Sequence, residues 1–341
     1  MARLSATSAA LLLLTATNAN AGQIGFRQFS IDTEGARPLN ISLWYPTDEK
    51  APPPTIVGEN PIFLGAPAMV DATPDQTRHH LIVLSHGYSS SWRNLSCLAA
   101  ELAENGYVVA APDHPGTTTF NRDPVQAAIL WERPRDLSRT IDAVLADPAL
   151  GPVTPDQMTP SAILWAAGRW QRSPKRGSTP GNSPTTAKAI SALAPVLSPM
   201  NWDWATLHLA KTDLRDPRLV AFVTLDLGFA RGFTAESLAS IKAPALVIGA
   251  GIDIGGLPAT LESGWLAEHL PRESTHLVMI PHAMHFSFMQ RCKEGAEALI
   301  EAETPGDEIV CHDSGGRNRI QIHREVVTTI IRFLDKVLPP G

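Results

Sequence analysis

Three short stretches place residues that could do acyl chemistry. "LSHGYSSSW" (84–92) follows a continuous apolar run from Leu81 to Ser85. A His-Gly turn at the end of a buried strand exposes backbone N–H groups at the carboxyl edge of a sheet, where open α/β sheets place their ligands. The N–H of Tyr88 is a candidate donor to a developing oxyanion. "PALVIGAGIDIGG" (244–256) ends an apolar run in a glycine-rich turn that carries Asp253. A carboxylate there can orient a histidine; an aspartate in such a turn also serves as a turn former or helix cap. "IPHAMHFSFMQ" (280–290) holds two histidines. His285, between Met284 and Phe286, sits among apolar neighbours that can shield an imidazole, and a neutral imidazole is the usual general base for a serine hydroxyl. His282 lies nearer the strand and reads as a loop residue.

The elements that must position these residues follow one rhythm. "IGFRQFSI" and "LNISLWYP" alternate apolar and polar residues, as antiparallel strands do. "LIVLS" and "YVVAAP" are continuous apolar runs of the kind buried in a parallel sheet. "NLSCLAAELAENG" is a helix that stops at Gly106. "RPRDLSRTIDAVLAD" is another, with Leu137, Ile141, Val144 and Leu145 on one face and Pro134 in the first turn. "LVAFVTLD", "PALVIGAG" and "THLVMIP" are later strands. "LESGWLAEHL" and "HREVVTTIIRFLDKVL" are helices. Alternating strand and helix predict an α/β fold, a mostly parallel sheet with helices on both faces. With 341 residues, 44% of them hydrophobic, and no internal repeat, residues 22–341 read as a single domain.

A net charge of −6 gives no footprint for nucleic acid. The first residues read as an export signal spanning 1–21: Arg3, the apolar "AALLLL", then Ala19-Asn20-Ala21 as the cleavage site. The apolar run is too short to span a bilayer, so no stable membrane insertion is expected, and the mature chain is placed in a periplasm or outside the cell; an N-terminal anchor is the alternative reading of the same residues. Export permits disulfides. Cys292 and Cys311, which close a short loop, are the expected pair. Cys97 then stays free, on an apolar helix pattern that reads as core packing. The three cysteines lack the close spacing of a zinc site.

One region breaks the rhythm. From Gln157 to Trp202 there is no Asp or Glu, although the chain holds 34 of them, and four of its eight tryptophans fall between Trp165 and Trp204. "QRSPKRGSTPGNSPTT" has a loop-like composition where the alternation requires a central strand and helix.

"SLWYPT", "LSHGYSSS", "APDHPGTTTF", "RPRDLSRTIDAVL", "ESGWLAEHLP", "AMHFSFMQRCKEGA" and "GDEIVC" together resemble α/β-hydrolases of the dienelactone-hydrolase-like branch, near bacterial relatives of platelet-activating-factor acetylhydrolase. The resemblance covers about Gly25 to Gln157 and Asp216 to Leu338. It implies a serine esterase with a Ser–Asp–His triad in that chain order, with Asp253 as the acid, His285 as the base and Tyr88 as first oxyanion donor. It implies no metal and no cofactor, and a substrate among small esters, acetyl-phospholipid-like esters or lactones. It also implies Gly-His-Ser-x-Gly-Gly shortly after "DPALGPVTPDQM", yet no G-x-S-x-G occurs anywhere in the chain.

The genetic code offers a reason. Ala162 to Gly168, back-translated and read one base earlier, permits Gly-His-Ser-Leu-Gly-Gly-Trp. The first of the paired glycines is forced, because Trp165 followed by Ala166 gives only GGC. Further on, Trp170-Gln171 forces an alanine, and the codons after it permit a run of good helix formers. Residues from about Met158 to about Thr212 therefore read as a translation out of frame, with the serine codon falling at Ile163 and Leu164. The chain as written is expected to lack its nucleophile, to have its nucleophile strand and helix disrupted, and to turn over little or no ester. Two rivals remain: a secreted, non-catalytic binding protein on the same fold, and a thiol hydrolase using Cys97. The second is the weaker, because Cys97 falls mid-helix rather than on a strand-to-helix turn.

Overall fold

The computed structural model describes residues 23–127, 129–130, 132–150, 163–166, 216–228, 230–253 and 258–338. The export signal expected over 1–21 lies outside them, as does the span 158–212 apart from 163–166.

Ten strands form one sheet among the described residues: β1 (Gln23–Ile31), β2 (Leu39–Thr47), β3 (Thr55–Val57), β4 (Ala66–Val70), β5 (Leu81–Ser85), β6 (Val108–Asp113), β7 (Ile163–Ala166), β8 (Phe222–Leu225), β9 (Ala245–Ile252) and β10 (Thr275–Met284). Their order is β10-β9-β8-β7-β5-β6-β2-β1-β4-β3. From β6 to β10 every pairing is parallel, and β2 joins β6 antiparallel. The antiparallel opening follows from the alternating strands β1 and β2, and the parallel centre from runs apolar at every position.

β5 shows how both faces are covered. Ile82 and Leu84 pack on one side with Leu98, Leu102, Ile322, Val326 and Ile330, which come from the helices Ser96–Glu104 and Arg319–Val337. Leu81 and Val83 pack on the other side with Leu137, Ile141 and Val144 of the helix Glu132–Leu145. The period-2 strand and the period-3.6 helix each present one apolar stripe, and burying these stripes against each other drives the layering. The C-terminal helix begins at a capping box, in which Asn318 Oδ1 accepts the Gln321 N–H and Gln321 Oε1 accepts the Asn318 N–H.

β7 occupies the central slot between β5 and β8. Its register pairs Ser85 with Trp165 on one side and Trp165 with Thr224 on the other. This corrects the expectation of a disrupted nucleophile strand: the written residues Ile163–Ala166 form a short strand there. A four-residue apolar run satisfies the backbone bonding of the slot whatever chemistry its side chains carry. The helix expected after it lies outside the described residues.

A disulfide joins Cys292 and Cys311, 19 positions apart, with Cα atoms 5.6 Å apart. Arg319 adds a polar clamp to the same region, donating to the carbonyls of Gln290, Val310 and His312. Removing the crosslink lowers stability by about 3 kcal/mol, the loop-closure expectation for a loop of this length. Denaturant unfolding with and without reductant reads it, and coincident midpoints would contradict it.

Candidate active site

The parallel strands bring several loops to one carboxyl edge. Adjacent strands lie about 4.8 Å apart, so the ends of β5 and β8 flank the end of β7 at about 10 Å from each other. The chain leaving β5 is His86-Gly87-Tyr88. The chain leaving β8 begins with Asp226. His285 reaches the same edge from the 3-10 turn His285–Phe288, directly after β10.

His285 is 5% exposed. Its Nδ1 lies 2.7 Å from Asp226 Oδ2, and the other carboxylate oxygen of Asp226 accepts the Ala250 N–H at 2.9 Å. Burial, the largest single influence, opposes ionisation of Asp226, but the hydrogen bond and charge attraction of His285, with the Ala250 N–H and Ser263 adding in the same direction, hold the carboxyl below its ordinary range. An ionised Asp226 fixes the proton on His285 Nδ1 and leaves Nε2 as the basic nitrogen. Nε2 is buried with no hydrogen-bond partner among the described residues. Asp226 has φ of 45°, a left-handed backbone that non-glycine residues adopt at a cost and that recurs at functional sites.

This pairing corrects the expectation for the acid. Asp253 is exposed just past β9, and its Oδ1 accepts the Ala259 N–H at 2.8 Å, the turn role open to it in the sequence. It lines the same cleft as Asp226 and His285, but the carboxylate on the imidazole belongs to Asp226. Asp226 had a visible signal: it is the first polar residue after the apolar run "FVTL", at the carboxyl end of the strand next to the nucleophile slot.

The histidine turn is held from behind. The Met284 N–H donates to Ser287 Oγ at 3.0 Å, and Ser287 Oγ donates to Asp313 Oδ1 at 2.6 Å. His323 Nε2 lies 2.9 Å from the Ser287 carbonyl, so that nitrogen carries the proton. Cys97, partly buried in the helix Ser96–Glu104, has its thiol pushed up to about 12 by burial, with Glu101 acting in the same direction. A thiol so protonated is no nucleophile at neutral pH.

Tyr88 sits in the turn after β5, and no hydrogen bond among the described residues engages its N–H. Beneath this turn lies a second Ser/His/Asp array. Ser85 Oγ is 2.9 Å from His114 Nε2, and His114 Nδ1 is 2.9 Å from Asp136 Oδ2. Arg37 forks onto Asp136 at 2.8 and 2.7 Å. All three members are at most 1% exposed, so no ester reaches Ser85, and the array reads as a buried polar network.

These interiors make an acid-sensitivity prediction. Burial holds His86 and His114 neutral well below their ordinary range and pushes His323 down to about 4. In the unfolded chain each protonates near pH 6.5. The folded pKa is the depressed one, so the stabilisation is fully present above about pH 6.5 and is lost as pH falls towards the folded values. For His323 alone the loss between pH 6.5 and about pH 4 is about 3 kcal/mol. Urea midpoints across that range read it, and flat midpoints would contradict it.

No protein-family model matches the sequence, and no curated protein matches it. Solved structures do resemble it. A ferulic acid esterase from Streptomyces cinnamoneus is 16% identical, with a TM-score of 0.58 over 96% of this chain and 95% of that one. A cold-adapted esterase from an Arctic intertidal metagenomic library, solved with bound PEG, is 15% identical, with a TM-score of 0.41 over 77% of this chain and 86% of that one. The first likeness and the sheet order assign the chain an α/β-hydrolase fold. Among the described residues no helix is long and apolar enough to cross a membrane, and no cluster of His, Cys, Asp or Glu is fit to hold a metal ion.

Proposed function

We propose that this chain is a serine-type carboxylic-ester hydrolase of the dienelactone-hydrolase-like kind whose nucleophile is missing from the written sequence. Residues from about Met158 to about Thr212 are read out of frame. The observation that carries this is His285: Nδ1 tied to an ionised Asp226, which follows β8, the neighbour of the strand that should deliver a serine, and Nε2 buried and unpartnered among the described residues.

In the intact enzyme the serine hydroxyl, a poor nucleophile alone, gives its proton to His285 Nε2 as it attacks the acyl carbon. Asp226 holds the ring and stabilises the imidazolium. The N–H of Tyr88 and the N–H of the residue after the serine hold the tetrahedral oxyanion, each donor lowering the barrier by about 3–4 kcal/mol. His285 then protonates the leaving alcohol, and water releases the acyl group. Small esters or lactones suit this chemistry. Export to a periplasm or beyond is part of the same reading, and the Cys292–Cys311 disulfide supports it.

The test is a pre-steady-state burst. The frame-restored chain should release one equivalent of p-nitrophenol from a short ester before steady turnover, and His285→Ala should abolish the burst. Slow, burst-free release by the restored chain would leave the rival reading, a secreted binding protein on this fold, in which Asp226 and His285 are replaceable.

A further inference from the structure

The buried chemistry beside the site converges on His86. This residue is 1% exposed, and both of its ring nitrogens are engaged. Nε2 accepts the backbone N–H of His114 at 3.0 Å. A nitrogen that accepts carries no proton, so in the neutral ring the proton is on Nδ1. Nδ1–H donates to the carbonyl of Gly87 at 2.7 Å. The Asp113 carboxylate, which would favour a proton on Nε2, is 3.8 Å from that nitrogen, beyond hydrogen-bond range, and its Oδ1 takes the Trp92 N–H at 2.9 Å.

The Gly87 carbonyl shares a planar trans peptide with the Tyr88 N–H, and in such a unit the two point in opposite directions. Drawing the carbonyl back to the His86 ring turns the Tyr88 N–H away from it. The neighbouring peptide plane is fixed as well, because Arg133 Nη2 donates to the His86 carbonyl. Arg133 also reaches Ser85 Oγ at 3.2 Å, and Ser85 is bound to His114. Both planes flanking Gly87 are thus pinned by side chains rooted in the Ser85–His114–Asp136–Arg37 network. Burial, with His114 and Arg133 close by, holds His86 neutral.

We propose that His86 is a positioning residue: its Nδ1–H holds the Gly87–Tyr88 peptide so that the Tyr88 N–H is preset as an oxyanion donor. The clamp is a feature of the chain as it stands; its catalytic consequence rests on the ester-hydrolase reading above. It also gives the Ser85–His114–Asp136 array a task, the aiming of a backbone donor.

The tautomer is tested on the full written chain. Long-range ¹H–¹⁵N spectra of histidine-labelled protein should show His86 protonated at Nδ1 and bare at Nε2, unchanged from about pH 8 to about pH 5.5. A proton on Nε2, or titration of His86 in that range, would overturn the clamp. The consequence is tested in the frame-restored chain. His86→Asn places an amide nitrogen near the Nδ1 position, and His86→Gln places one near Nε2. His86→Gln should lower kcat about 10²–10³-fold, the cost of one lost oxyanion donor, with KM changed less than about threefold, and His86→Asn should recover most of that loss. Equal kcat for the two variants would overturn the positioning role. An inactive restored chain that keeps the Nδ1–H tautomer would count against the ester-hydrolase reading while supporting the clamp.

Discussion

Retranslated one base out of frame between about Met158 and about Thr212, the chain hydrolyses p-nitrophenyl acetate on the order of 10⁶ times faster than the chain as written. That is the size of effect seen when a serine hydrolase loses its nucleophile. The written chain keeps the Asp226–His285 pair and Tyr88, but an imidazole with no hydroxyl to deprotonate contributes little. Residual catalysis over water in triad knockouts comes from the oxyanion hole and binding. Here the second donor, the N–H after the serine, belongs to the same lost segment. Steady-state rates of both proteins under one condition read the ratio, and comparable rates would mean that the His285 edge is not a serine hydrolase site.

The second large effect separates two aspartates. In the restored enzyme Asp226→Asn lowers kcat by about 10⁴, the cost of leaving the histidine in the wrong tautomer. An amide at this position cannot accept the Nδ1–H and the Ala250 N–H together as the carboxylate does. Asp253→Asn changes kcat less than about threefold, because among the described residues its carboxylate holds the Ala259 N–H of an exposed turn and does not reach the imidazole, which Asp226 holds. The reverse ranking would restore Asp253 as the acid and would require the loop after β9 to move onto His285.

Much of this fold is legible in the residues. The apolar runs that become β5, β6, β8 and β9 carry the parallel sheet, and the spacing of Leu137, Ile141 and Val144 sets the buried face of the helix above it. His285 stands out by its apolar neighbours. The choice of its partner does not, since Asp226 and Asp253 both end successive apolar strands. Which carboxylate meets the imidazole depends on the path of the loops after β8 and β9, and local sequence does not encode that path. The network under Tyr88 is hidden for a related reason: Ser85, His114 and Asp136 are separated by 29 and 22 positions and meet only when β5, β6 and a helix are packed together. The strand at Ile163–Ala166 shows the converse limit. Backbone pairing accepts almost any short apolar run, so a filled central slot says little about whether the right residues fill it.

The most direct test of the shifted frame is the nucleotide sequence across the codons for Ser161 to Ala166. For Gly-His-Ser-Leu-Gly-Gly to lie one base earlier, the Ser161 codon must be TCG, Ala162 GCC, Ile163 ATT, Leu164 CTC or CTT, and Ala166 GCG. The account predicts those five codons together. An Ile163 codon of ATC or ATA would place proline or threonine where the nucleophile belongs, and the central claim would fail.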